Sequence, residues 1–154
     1  MEVPPDILVH HKNVTLCDDI FFVQGYPFFV TLSRSIKFNT VEDLSDMTIS
    51  NLELACNHVL DMYTRWGFIV KHFLMDRQIE PLHRHLCSKG VMLNTTSAND
   101  HVKEIEHFIH TLKERLCTLR SSMPFKKIDK LRALSWFYGW WCMVVRSWWS
   151  DLSG

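Results

Sequence analysis

The strongest constraint on the fold is an early pair of aromatic and β-branched runs, Asp19-Ile-Phe-Phe-Val23 and Pro27-Phe-Phe-Val-Thr-Leu-Ser33, separated only by Gln24-Gly25-Tyr26. Such residues fit a pleated, half-buried surface, and so short a break with a glycine in it leaves room only for a tight reversal. The two runs predict a β-hairpin. Ile36-Lys37-Phe38 then alternates apolar and polar, and predicts a third, shorter antiparallel strand. Strands of this kind have to be covered by later elements.

The cover is legible in the next segment. Leu52, Ala55, Val59, Met62 and Trp66 recur at steps of three and four, with Ser50 and Glu53 in capping-box spacing before them and Gly67 behind. An amphipathic helix is predicted there. Ile69 to Met75 reads as an apolar strand ending at Asp76, Pro81 to Ser88 as a short helix closed by Gly90, and Val91 to Thr95 as another strand. From Asp100, the residues Val102, Ile105, Phe108, Ile109, Leu112, Leu116 and Leu119 keep helical spacing for about five turns, with Ser97, Asn99 and Asp100 as N-cap candidates. Pro124 ends that helix, and an aromatic helix is predicted from Asp129. Three antiparallel strands followed by alternating helix and strand predict an α/β fold: a mixed five-stranded sheet flanked by helices.

At 154 residues and 47% hydrophobic, the chain has the size of one domain with one core. Lys plus Arg and Asp plus Glu both number 17, so any nucleic-acid surface must come from the arrangement of charge, not its excess. Cys17, Cys56, Cys87, Cys117 and Cys142 form no close pair, which argues against a disulfide framework or a CxxC zinc site and for a reducing compartment. Met1-Glu-Val-Pro-Pro-Asp6 lacks the pattern of a secretory signal, and Ala133 to Val145 is too short to span a bilayer. The expected location is the nucleus or cytoplasm, without membrane association.

Asp76 stands directly behind an apolar strand, where open α/β sheets place functional groups, and Asp19 opens the first strand run. Joined by an acid from a later helix, they would offer hard oxygen ligands suited to Mg²⁺ or Mn²⁺. The helix pattern leaves the third acid open, since Glu104 and Glu106 fall at roughly −100° and +100° from the apolar stripe. Glu106 shares its edge with His110 and Lys113, which together with Lys103 are candidate nucleic-acid contacts; an ordinary pairing of Glu106 with His110 is the plainer reading. His83, His85 and Cys87, with or without His101, have no recognised zinc spacing. Cys117 and Cys142 read as small core residues, and Trp136, Trp140, Trp141, Trp148 and Trp149 as packing.

Several ordered blocks resemble copia-type retrotransposon integrases. Asp19-Ile-Phe-Phe-Val and Pro27 to Thr40 are similar to the first aspartate strand and hairpin of that family; Arg65-Trp-Gly-Phe, Phe73-Leu-Met-Asp76 and Glu80-Pro-Leu82 resemble the segment with its second aspartate. Leu93-Asn-Thr-Thr-Ser97, His101 to Glu106, Thr111 to Arg115 and Met123 to Lys127 resemble the helix with the catalytic glutamate and the stretch beyond. The match runs from about Cys17 to Leu131. It implies an RNase H-like fold, with Asp19, Asp76 and Glu106 as the DDE metal ligands and Asp18 and Glu104 out of register. It also implies a site for two Mg²⁺ or Mn²⁺ ions, DNA as partner (element ends and target), a homo-oligomer, and metal-dependent cutting and joining of strands, hence DNA integration.

Arg77 and Gln78 stand where the family has glycine and an acid, His107 where it has arginine, and Lys103 and Asp129 where it has prolines. The resemblance therefore implies a shortened or degenerate copy of a transposable-element integrase, and implies fold and ligand set more strongly than turnover. The expected layout is an extension over 1–15, an integrase-core-like domain over 16–127 and a Trp-rich helix and tail over 128–154. A non-catalytic nucleic-acid-binding or interaction remnant of a retroelement is the second reading, and an unrelated α/β nuclease the third.

Overall fold

The computed structural model describes residues 3–75, 77–94, 98–122, 124 and 135, and among these the side chains of 77–79, 98–102 and 119 stand outside the description. The expected aromatic helix and the tryptophans of the tail lie outside the described residues. By contacts the chain divides into two compact units, Met1–Ile105 and Glu106–Gly154.

In the first unit a short helix α1 (Pro5–His11) leads into β1 (Asn13–Val23), β2 (Tyr26–Ser33) and β3 (Asn39–Asp43). Helix α2 (Ile49–Arg65) and strand β4 (Ile69–Leu74) follow. A 3₁₀ turn (Arg77–Leu82) runs into α3 (His83–Ser88), and β5 (Met92–Leu93) completes the sheet. Helix α4 (Ala98–Ser121) begins in the first unit and continues into the second.

The five strands lie in the order β3-β2-β1-β4-β5, with β1–β2 and β2–β3 antiparallel and β1–β4 and β4–β5 parallel. This is the mixed sheet that the element order implies. The β1–β2 reversal is made by Gln24 and Gly25, at φ +51° and +83°, between the paired residues Val23 and Tyr26. Two positive φ values give the turn a twist that matches its strands. β2 is buried from Pro27 to Ser33, as a central strand covered on both faces should be.

Several expectations are corrected. β1 begins at Asn13, so Asp19 stands inside the strand and not at its start; the alternation of Val14 and Leu16 with polar residues is a strand signal that Asp18-Asp19 interrupts. Ile36-Lys37-Phe38 is not a strand. It belongs to a wide turn over 34–38, closed by Ser33 N–H donating to Phe38 O at 2.7 Å, and the third strand is the polar run Asn39–Asp43. Ile36 and Phe38 are buried as anchors of the turn: the Phe38 ring meets Tyr63 and Trp66 of the α2 end edge-on, with centroids 5.9 and 4.9 Å apart. Finally, Cys117 is exposed on α4 and is no core residue.

Helix α2 buries Leu52, Ala55, Cys56, Val59, Leu60 and Tyr63. Its N-cap is Thr48 rather than Ser50, and the turn before it is tied by Asp46, whose Oδ1 accepts from Thr48 N–H (2.9 Å) and from the Asn51 amide (2.7 Å). Gly67 ends the helix at φ +87°, and a Cβ there would meet Leu8 of α1 at 3.4 Å. β4 then starts beside β1, with Ile69 N–H donating to Lys12 O at 2.7 Å.

Candidate functional site

The parallel β1–β4 pair positions the candidate site. Its ladder runs to Leu16↔Phe73 and Cys17↔Leu74, two residues short of Asp19 on β1 and of Asp76 in the sequence. Asp76 itself lies outside the described residues. Side chains alternate along a strand, so Leu16 and Asp18 take one face of β1 and Cys17 and Asp19 the other.

The two faces differ chemically. Cys56 of α2 is wholly buried; burial pushes its thiol well above the ordinary range, and the charges of Asp18 and Glu53 push it further. Asp18 is 4% exposed. The Cys17 thiol is pushed up to about 11, chiefly by burial, with Arg34 and Lys37 opposing and Glu104 and Asp18 reinforcing. Apart from its neighbour Asp18, the charges that act on Cys17 come from the 34–38 turn and the first part of α4. Asp19 shares that face, half-buried, with Oδ1 accepting from Ile20 N–H at 2.7 Å.

Glu104 is engaged. Its Oε2 lies 3.7 Å from Arg34 Nε and 3.5 Å from Lys37 Nζ. This cluster was not foreseen, because Lys37 reads as a strand residue in the sequence; the signal available was an alternation too short to hold a strand. Lys103, beside Glu104, is exposed.

In the second unit, Glu106, His110 and Lys113 are exposed on α4. His110 pairs with Glu114 (3.6 Å, one turn on), not with Glu106 as the plainer sequence reading had it. Farther along the first unit, His85 is turned onto α2, its Nε2 2.8 Å from Asn57 Oδ1 and its Nδ1 4.0 Å from Glu53 Oε1. His83 faces the exposed Cys87, 3.7 Å from the sulfur. Among the described residues no group of three or more His, Cys, Asp or Glu is placed to hold a metal ion, and no helix is long and apolar enough to cross a membrane.

No protein-family model matches the chain, and no curated protein matches it. Among solved structures it is similar to the catalytic core domain of BIV integrase, with a TM-score of 0.54 and 16% identity over 77% of this chain and 76% of that one. The chain has the fold of an integrase catalytic core. At that identity the likeness is one of fold: the mixed five-stranded sheet and its helices are shared, and the chemistry has to be argued from this chain's own residues.

Proposed function

We propose that this chain is a copia-type integrase core in which Asp19, Asp76 and Glu106 hold Mg²⁺ or Mn²⁺, and that it cuts and joins DNA strands in DNA integration. The observation that carries the reading is the parallel pairing of β1 with β4, whose ladder ends two residues before both aspartates. Two further points support it. Asp19 lies on the opposite face of β1 from Asp18, and Glu106 is exposed on α4.

The donor set suits the ion. Carboxylate oxygens are the hard ligands that Mg²⁺ and Mn²⁺ take, and Asp19 is held in orientation by the Ile20 N–H. When bound, divalent ions stabilise charge on the attacking and leaving oxygens of phosphoryl transfer. The protein's part is to hold the acids on a rigid strand and helix and to receive the DNA backbone; Lys103, His110 and Lys113 are the proposed contacts on α4.

Thermal melts with and without Mg²⁺ test the reading, because an ion that binds only the folded state stabilises it by about 2.7 kcal/mol at a hundredfold excess over its Kd. Mg²⁺ raises the melting temperature of the wild type, and Asp19→Asn, Asp76→Asn and Glu106→Gln abolish both that rise and strand transfer on a DNA-end substrate. Equal responses of all four proteins would leave the fold in place and remove the enzyme.

A further inference from the structure

The turn over 34–38 brings Arg34 and Lys37 to one carboxylate, and three observations show what kind of contact this is. Glu104 Oε2 sits 3.7 and 3.5 Å from the two cations, beyond the 2.7 to 2.9 Å, roughly, of a charge-assisted hydrogen bond. Although buried as an atom, this oxygen accepts no hydrogen bond among the described residues. The three side chains remain 40%, 59% and 37% exposed. The contact is therefore Coulombic rather than hydrogen-bonded, between side chains that all keep part of their surface in solvent.

The cations are also braced. Arg34 N–H donates to Thr15 O of β1 at 3.1 Å, and Lys37 stands between the buried anchors Ile36 and Phe38 at φ +52°, a conformation costly to a side chain with a Cβ. Burying both neighbours turns Lys37 outward. Arg34 and Lys37 act on Cys17, which shares its face of β1 with Asp19, one step along the strand.

We propose that Arg34 and Lys37 form a phosphodiester-binding pair on this face, which Glu104 occupies in the nucleic-acid-free protein and yields when DNA arrives. A phosphodiester carries the same single negative charge as a carboxylate and is not tethered to the helix, whereas Glu104 meets both cations through the one oxygen Oε2; a free phosphodiester can turn so that each cation takes its own oxygen. The proposal rests on the DNA-handling reading above and adds a gated contact to it.

Fluorescence polarisation of a labelled duplex of about 20 base pairs with the full chain, in EDTA and over roughly 50 to 200 mM salt, tests it. Glu104→Gln removes the competitor and tightens binding roughly two- to fivefold at low salt, the worth of an exposed ion pair. Arg34→Gln with Lys37→Gln weakens binding and lowers the slope of log affinity against log salt by about 0.9, the loss of one phosphate contact. A Glu104→Gln protein that binds the duplex equally or less tightly, or melts lower without a change in binding, makes Glu104 a structural tie and overturns the proposal. An unchanged slope in the double variant overturns it as well; should that variant fail to fold, the sign of the Glu104→Gln effect decides. A wild type that does not bind the duplex removes the DNA reading and this pair together, whereas binding indifferent to all three substitutions removes the pair alone.

Discussion

β2 and β3 are hydrogen-bonded neighbours of similar backbone geometry, yet one is almost wholly buried and the other is polar and mostly half-exposed. β2 lies between two strands and is covered on both faces, so its sequence is mostly apolar, with Thr31 and Ser33 as buried polar members. β3 is an edge strand, and edges are kept polar because an apolar edge invites pairing with other chains. What holds β3 is position: its ladder to β2, one buried hydroxyl pair, and the aromatic anchor that closes the turn before it. Hydrophobic pattern therefore reports the centre of this sheet and is nearly silent about its β3 edge.

The contrast predicts a graded set of effects. Phe29→Ala, at a wholly buried β2 position, should cost about 3 to 5 kcal/mol in denaturant unfolding, and Val41→Ala on β3 a small fraction of that. Equal losses would mean that β3 contributes core after all.

Next in size is the hydroxyl pair, Thr31 Oγ1 and Thr40 Oγ1, buried 2.6 Å apart. Thr40→Val leaves the Thr31 hydroxyl without its side-chain mate and should cost about 1 to 3 kcal/mol, while Thr31→Val with Thr40→Val should recover most of the loss. Additive losses in that double-mutant cycle would show that the bond is not what joins the strands.

Glu42 on β3 gives a pH effect. Burial raises its carboxyl above the ordinary value, with the His58 hydrogen bond (2.8 Å) opposing. A raised folded-state pKa means a contribution fully present below the unfolded value of 4.5 and lost as the pH rises through the folded one. Wild type should therefore lose stability relative to Glu42→Gln as the pH rises from below 4.5 towards neutrality. A constant difference between the two unfolding curves across that range would remove the burial cost from the account.

The smallest effect is expected at Lys37. Replacing it with glycine relieves the positive φ but frees the unfolded chain, and the two terms should cancel to within about 1 kcal/mol. A larger loss in thermal or chemical melts would mean that the ion pair with Glu104, and not the buried neighbours, holds the turn.

Legibility of the site follows the same rule as legibility of the strands. Asp19 stands out because aromatic residues follow it, but its place inside an eleven-residue strand does not, since the polar pair Asp18-Asp19 breaks the apolar run. Asp76 is marked by the apolar strand before it. Arg34 and Lys37 carry no periodic signal, because they sit in a turn whose only apolar members are its two anchors.

The sequence by itself determined the β1–β2 hairpin, the α2 and α4 helices and the β4 strand, because each rests on a pattern that repeats within a few residues. Tertiary structure decided how those elements are used. It set the strand order that seats β4 beside β1, the face of β1 each aspartate takes, the pairing of Glu104 with a turn far upstream, and the seating of His85 on Asn57, 28 positions away. These depend on register and packing between distant segments, and no local periodicity encodes which partner a side chain meets across them.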